Sequence, residues 1–345
     1  MGLLDFTVRR LILLIPTLIG VTLLIFAVTQ MIAPEIRALL YVRSDKQLGH
    51  IDEVIHQYHL DAPFYEQYFR WLTEVLQGNL GLAKSSYNQP VLNVLLERFP
   101  ATLELTLYSA PLTIFFGIFL GVKSAVHKDK IVDHITRALS IVGWSLPSFW
   151  FGIVLLAIFY GGLKWFPPLR LDGVADQFVH SSNWHAYTNL YTIDGLLNGQ
   201  LWITAEAFRH LVLPVIVLVT IQIALLVRVM RSSMLESLSK GYITAARAKG
   251  LKNSVVINKH ARRNALIPAV TLSGLLIAGM LGGLIITETV FSFPGIGAFA
   301  ANAALVGPDL PALLGFALFT GIIFVVSNLI VDILYAYIDP RIKLG

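Results

Sequence analysis

Six uncharged runs divide this chain, and each is about long enough to cross the hydrocarbon core of a bilayer. The runs are Leu11–Pro34, Leu105–Val122, Ala138–Leu163, Leu211–Val227, Asn264–Thr287 and Leu310–Val331. Because a backbone in lipid must satisfy its own hydrogen bonds, such runs form helices. They predict an all-α integral membrane protein with six transmembrane helices.

The composition agrees with a membrane protein. Only 14% of the residues are charged, whereas soluble domains average about 25%. The first run, Leu11–Pro34, is longer than the apolar region of a signal peptide and lacks a small-residue cleavage site, so we expect it to stay as the first span. The chain has no cysteine, which excludes disulfides and cysteine-ligated metals. Basic residues beside the spans account for the net charge of +5, which requires no nucleic acid.

The placement of lysine and arginine predicts the orientation of the spans. The short segment Lys123–Arg137 carries four of these residues, and Glu288–Asp309 carries none. Cytoplasmic loops are the ones enriched in lysine and arginine. Both termini are therefore predicted to be cytoplasmic, and Glu35–Pro100 is predicted to lie outside.

The outer segment between spans one and two has the pattern of amphipathic helices. Asp61-Ala62-Pro63 predicts a helix start and Gly78 its end. Pro90 is expected to begin a second helix. Between Pro63 and Gly78 an apolar stripe is formed by Phe64, Tyr68, Trp71, Leu72 and Val75. The later outer loop, Lys164–Glu206, is polar and aromatic, which is typical of the headgroup level.

A basic island, Tyr242–Pro268, separates the fourth and fifth runs. Tyr242–Lys249 is rich in alanine and predicts a short helix. Gly250 stands where a left-handed cap would end that helix, and Ser254 can cap a second helix. Two short helices between spans suit docking into a groove of another protein. A solvated charged loop is the alternative.

The same island resembles the "EAA" loop of ABC-importer permeases, through Thr244-Ala245-Ala246 followed by Gly250. Thr244 replaces the acidic first residue of that pattern, and the closing Ile267-Pro268 lies further from the glycine. The longer form, ARAKGL followed by HARRNALIP, is similar to the dipeptide/oligopeptide permease branch. Further blocks occur in family order: RRLILLIPTLIGVTLLIF, LDAPFYEQYFRWL, GNLG, RFPATLEL, SLPSFWFGI, ETVFSFPGIG and Asp339-Pro340-Arg341.

This resemblance covers nearly the whole chain and implies the type I ABC importer permease fold. It implies residues 1–100 as an N-terminal span with its outer segment, and residues 101–345 as a core permease domain with a cytoplasmic coupling loop at 232–263. The residues that would couple to the ATPase are Tyr242, Thr244, Ala245, Ala246, Arg247, Lys249 and Gly250.

The function implied is that of a permease subunit in a prokaryotic cell membrane, forming half of a pathway for di- or oligopeptides. Its partners would be a second homologous permease, two cytoplasmic ATPases, an external substrate-binding protein and the lipid bilayer. No cofactor is expected in this chain, since ATP and magnesium would bind the ATPases. Oligosaccharides, nickel complexes and glutathione are alternative substrates. An ion-coupled secondary carrier and a membrane enzyme are competing classes, but the spans lack interior charges and catalytic constellations.

Several patterns imitate other functions. Gly78–Ser85 is one residue from a phosphate-binding loop, and Gly295–Ala300 resembles a dinucleotide fingerprint, but neither follows a predicted strand. His50, His56 and His59 are interpreted as a surface cluster rather than a metal site. Ionisable residues at predicted span ends, where water is reachable, are weaker functional candidates; they are Glu104, Glu288 and Asp332.

Overall fold

The computed structural model describes residues 3–38, 49–305 and 309–338, with side chains for residues 8–38, 49–305 and 309–331. The block Asp339-Pro340-Arg341 lies outside these ranges. In chain order the elements are α1 (Leu3–Gln30), α2 (Pro34–Ala38), α3 (Ile51–Gln57), α4 (Phe64–Leu76), β1 (Leu82–Ala83), β2 (Gln89–Pro90), α5 (Val91–Val126), α6 (Ile131–Ser145), α7 (Ser148–Gly162), α8 (Gly173–Val179), α9 (Tyr191–Leu197), α10 (Leu201–Leu238), α11 (Gly241–Ala248), α12 (Asn253–Leu281), α13 (Ile285–Val290), α14 (Ile296–Leu305) and α15 (Leu310–Ile338).

Among the described residues, five helices are long and apolar enough to cross a membrane, namely α1, α5, α10, α12 and α15. The pair α6–α7 forms a sixth candidate when its two helices are counted as one span. The predicted class, an all-α membrane protein, is confirmed.

The third span, predicted over Ala138–Leu163, consists of two helices with a sharp bend between them. Helices α6 and α7 meet at 98°, and Pro147 lies at the break. Proline lacks an N–H and forces the residue before it out of the helical region; Leu146 accordingly has an extended ψ of 125°. Over Leu156–Gly162 helix α7 adopts π-helical geometry.

The predicted boundaries of the second and fifth spans differ from the structure. The helix expected to begin at Pro90 does begin there, with Val91 as its first residue, but it is not separate from the second span, because α5 runs without interruption to Val126. The fifth span does not extend over Asn264–Thr287. Helix α12 begins eleven residues earlier, at Asn253, and ends at Leu281 before Gly283, whose φ is +107°.

The chain forms two compact units, one comprising Met1–Phe99 with Phe299–Gly345 and the other Pro100–Ala298. The predicted division into domains at residue 100 remains a prediction. In the first unit α1 packs along α15. Helix α4 begins after Pro63 and ends before Gly78, whose φ is +81°, so both predicted ends of this helix are confirmed.

The second unit is organised around α10, which packs against α6, α9 and α12. Glycines on α5 allow that helix to approach α10 as well. A Cβ at Gly117 would lie 2.6 Å from Leu226 Cδ2, and one at Gly121 would lie 2.7 Å from Met230 Cβ. The Gly117-x-x-x-Gly121 spacing therefore serves close helix packing.

Candidate coupling site

Helix α11 is a separate short helix held between α10 and α12. It begins after Lys240, whose backbone is extended. At its other end Gly250 has a φ of +73°. The Gly250 N–H donates to the Arg247 carbonyl at 2.9 Å, and the Leu251 N–H donates to the Ala246 carbonyl at 3.4 Å. These two bonds form a Schellman motif, so the left-handed cap predicted at Gly250 is confirmed.

One face of α11 is buried against the neighbouring spans. Ile243 and Ala246, three residues apart and therefore on the same helix face, join a core cluster with Met230 and Met234 of α10 and Ala261 of α12. Burial of the Ile243 side chain alone contributes roughly 1.5–3 kcal/mol. This face anchors the helix, and Ala246 is therefore turned away from any docking partner.

A chain of hydrogen bonds also ties α11 to both neighbours. Ser237 Oγ at the end of α10 donates to the Ala261 carbonyl at 2.9 Å. The same oxygen lies 2.6 Å from the Tyr242 hydroxyl. The stretch is consequently a packed helical unit and not the freely solvated loop considered as the alternative.

The opposite face of α11 is exposed. It presents Thr244, Ala245, Arg247, Lys249 and Gly250, and Tyr242 is partly exposed beside them. At the helix start Lys240 Nζ lies 2.9 Å from Glu236 Oε1, and this hydrogen bond raises the pKa of Lys240. Arg247 and Lys249 make the exposed face a small, cationic helical surface.

The predicted cap at Ser254 is wrong. Helix α12 begins at Asn253 after Lys252, and no side chain caps it. Ser254 lies inside the first helical turn, two positions after Lys252, which occupies the capping position, and is therefore too late to accept from the helix's first N–H groups. The next residues, Val256–Ala261, have π-helical geometry.

A buried ion pair clamps α10 close to this site. The Asp133 carboxylate on α6 accepts two bonds from the Arg231 guanidinium, each 2.7 Å long. It also accepts from Ser124 Oγ near the end of α5 and from the Asp129 N–H in the α5–α6 turn. The Asp133 side chain is 0% exposed. Sequence reasoning missed this pair, although an aspartate at the start of a span is a visible signal.

A second buried pair involves the first half of α5. Glu104 and Arg170 approach to 2.8 Å, and Glu104 also accepts from the Thr192 N–H and hydroxyl. The Arg170 guanidinium lies 4.0 Å from the centre of the Tyr191 ring. The expectation that water reaches Glu104 and Glu288 is wrong, because both are 0% exposed. The Asp332 side chain lies outside the described residues.

The two segments that imitate nucleotide-binding motifs, Gly78–Ser85 and Gly295–Ala300, each bind a carboxyl group of the chain itself. Ser85 donates from its N–H and hydroxyl to Asp309 Oδ2, at 2.7 and 2.8 Å. Glu288 accepts from Thr102 Oγ1 at 2.7 Å and from the Ala298 N–H at 2.8 Å. Burial raises the pKa of Glu288, and these hydrogen bonds oppose that shift. At both places the position of a phosphate is therefore taken by a carboxyl group of the chain.

Two histidines of the surface cluster contact carboxylates. His56 Nδ1 lies 2.7 Å from Asp61 Oδ2, and His50 Nδ1 lies 3.4 Å from Glu53 Oε1. Within the residues that the structure describes, no group of three or more histidine, cysteine or acidic side chains has the arrangement of a metal site.

Two family models account for almost the entire sequence. The model of the binding-protein-dependent transport system inner membrane component matches residues 114–344. A model of the N-terminal part of such membrane components matches residues 3–106. The chain belongs to this family. The resemblance inferred from its motifs is confirmed, and the chain is a permease subunit of an ABC importer.

The permease is similar over its full length to characterised transport proteins. It is 39% identical over 342 residues to the di/tripeptide transport system permease protein DppB of Pseudomonas aeruginosa, covering 99% of both chains. It is 38% identical over 341 residues to the dipeptide transport system permease protein DppB of Escherichia coli, again covering 99% of both. It is 33% identical to the oligopeptide transport system permease protein AppB of Bacillus subtilis, covering 98% of the permease and 99% of that protein.

Proposed function

We propose that this permease forms half of the translocation pathway of an ATP-driven importer of di- or oligopeptides, beside a second homologous permease. The substrate class rests on the relatives, since three proteins matched over nearly their whole length are named for di/tripeptide, dipeptide and oligopeptide transport. The bacterial relatives also support a place in a prokaryotic cell membrane. Oligosaccharides, nickel complexes and glutathione are the alternative cargoes, and an external binding protein would select among them.

The coupling role rests on the geometry of α11. Its inner face is fixed by Ile243 and Ala246, so force applied to its exposed face is transmitted to α10 and α12. A short helix laid into a groove is a recurrent docking mode. We assign the exposed Tyr242, Thr244, Ala245, Arg247, Lys249 and Gly250 to contact with one of two cytoplasmic ATPases. Ala246 supports that contact from behind, and ATP with magnesium binds the ATPases.

This proposal requires α11 to lie in the cytoplasm and α4 outside. The chain has no cysteine, so each introduced cysteine is unique. Thr73 on α4 and Ser254 on α12 are both exposed. A membrane-impermeant thiol reagent added to intact cells is expected to label Thr73→Cys and to spare Ser254→Cys until the membrane is opened. The reverse labelling would overturn the orientation.

Transport itself is tested by reconstitution. Proteoliposomes are prepared with both permeases and both ATPases and are supplied with the binding protein. They are expected to accumulate a radiolabelled dipeptide only when ATP is present on the side of the membrane where the ATPases lie. Uptake driven by an ion gradient without ATP would indicate a secondary carrier. ATP-driven uptake of a nickel complex, glutathione or an oligosaccharide with no peptide uptake would retain the transporter class and reject the peptide assignment.

A further inference from the structure

Helix α4 carries two apolar faces, of which the fold uses only one. The more buried face consists of Phe64, Tyr68, Trp71 and Val75, spaced as one side of a helix. Tyr68 is buried, Trp71 and Val75 are partly buried, and Phe64 is 44% exposed. The adjacent stripe, Tyr65, Phe69, Leu72 and Leu76, has the same spacing. Tyr65 is 65% exposed, Phe69 64% and Leu76 80%. Leu72, between them, is partly buried. A row of large apolar side chains, most of them exposed, marks a surface that meets another apolar phase or molecule.

The contacts of the more buried face set the depth of α4. The Tyr68 hydroxyl lies 2.9 Å from Thr22 Oγ1 inside the first span. Gln67, the neighbouring residue, meets Gln30 at the end of that span, at 3.2 Å. Thr22 and Gln30 are about 12 Å apart along the helix axis at 1.5 Å per residue. Helix α4 therefore crosses the last two turns of a membrane-spanning helix.

Ring contacts fix this crossing. The Phe26 ring, also in the first span, lies 5.3 to 5.5 Å from the rings of Phe64, Tyr68 and Trp71. At this level of α1 the side chains of Leu24 and Val28 are themselves exposed. The exposed stripe of α4 is thus found at a depth where the surface of the span is already apolar.

The remaining side of α4 is polar. Glu66 and Arg70 form an ion pair of 3.0 Å, and Thr73, Glu74 and Gln77 continue the same side. A helix with a wide apolar arc and a charged opposite side lies in the plane of the membrane interface, its apolar side about 5–10 Å into the headgroup and acyl boundary. Tyrosine and tryptophan are enriched at that level.

We propose that α4 is an interfacial membrane helix whose stripe of Tyr65, Phe69, Leu72 and Leu76 is embedded in the lipid bilayer. Lipid contact along α4 would hold the end of the first span, through Thr22 and Phe26, at a fixed depth. The proposal concerns the membrane partner of α4 alone and stands independently of the coupling role of α11.

The test uses single cysteines carrying a nitroxide label, in the whole transporter reconstituted in lipid nanodiscs. Electron paramagnetic resonance measures collisions of the label with apolar oxygen and with a water-soluble nickel chelate. At Phe69→Cys and Leu76→Cys oxygen is expected to collide more often than nickel. At the matched Thr73→Cys, on the polar side of the same helix, nickel is expected to collide more often.

Three outcomes distinguish the possible surroundings of the stripe. More oxygen than nickel collisions at Phe69→Cys and Leu76→Cys supports lipid contact. More nickel than oxygen at these positions shows that water covers the stripe and overturns the proposal. Few collisions with either reagent, with an immobilised label, shows a covering protein such as the second permease and overturns it equally. Dipeptide uptake by each labelled variant verifies that the transporter is assembled.

Discussion

The Asp133–Arg231 pair allows a prediction whose size follows from its burial. The Asp133 carboxylate is 0% exposed and accepts two of its four hydrogen bonds from Arg231. In Arg231→Met the long unbranched side chain is kept while the compensating charge is lost. A buried charge left without its partner costs about 3–5 kcal/mol. At roughly 2–4 °C per kcal/mol for larger chains, the unfolding midpoint should fall by about 6–20 °C.

The assay is the fraction of purified permease that stays monodisperse in detergent after a heating series. Arg228→Met is the matched control, because Arg228 lies one turn away on α10, is exposed, and contacts only the Trp144 ring at 6.0 Å among the interactions described. An exposed contact of this kind contributes about 0.5–1 kcal/mol. The control midpoint is therefore expected to stay close to that of the wild type.

The double variant decides whether the loss comes from an unpaired charge. Adding Asp133→Asn to Arg231→Met removes the buried charge. The stability lost in the double variant should therefore be smaller than the sum of the losses in the two single variants, by about 0.5–3 kcal/mol. An unchanged midpoint in Arg231→Met would refute the reasoning, and so would losses that simply add. Either result would mean that the two groups do not interact in the folded permease.

Three further changes test other contacts. Gly117→Ala, which places a methyl group against Leu226, should cost about 1–3 kcal/mol of stability, whereas Gly279→Ala, with open space around it, should not lower the midpoint of heat unfolding. Lys84→Ala should leave peptide uptake intact, and the isolated subunit should show no saturable ATP binding in equilibrium dialysis. Glu288→Gln should cost about 1–3 kcal/mol in the same heat assay. The amide nitrogen that replaces one carboxylate oxygen cannot accept from the Thr102 hydroxyl or the Ala298 N–H, whichever it faces; an unchanged midpoint would contradict this.

Local patterns in the sequence were sufficient for the membrane class, the ends of α4 and the cap of α11. Uncharged runs predicted the membrane class, Pro63 predicted where α4 begins, and Gly250 predicted the cap of α11. Each of these features is decided by residues within a few positions of one another. The packed state of α11 was not predictable, since it depends on Ile243 meeting side chains of two other helices.

Features that depend on distant residues escaped prediction. Asp133 and Arg231 are 98 positions apart, and Glu104 and Arg170 are 66 apart, so no local spacing indicates either pair. Whether a proline bends its helix also depends on distant residues. Pro147 lies at a 98° bend, while other prolines, such as Pro214, lie inside continuous helices. The same residue type gives different results because neighbouring helices decide whether the backbone bends.

The central claim is that α11 couples ATP hydrolysis to transport, and two glycines test it directly. Gly250 has a φ of +73° and Gly199 a φ of +68°, and nothing lies within 4 Å of the Cβ position of either. Both end their helices with the same pair of Schellman hydrogen bonds. Valine at either position therefore introduces the same strain, about 1–2 kcal/mol, with only Gly250 next to the coupling helix.

The decisive measurement is ATPase stimulation by peptide-loaded binding protein in the reconstituted transporter. Gly250→Val should lose stimulation and uptake, Gly199→Val should keep both, and Gly250→Asn should recover them because asparagine tolerates the left-handed conformation. Equal amounts of assembled complex are verified for each variant. Wild-type stimulation and wild-type uptake in Gly250→Val would contradict the coupling role of α11.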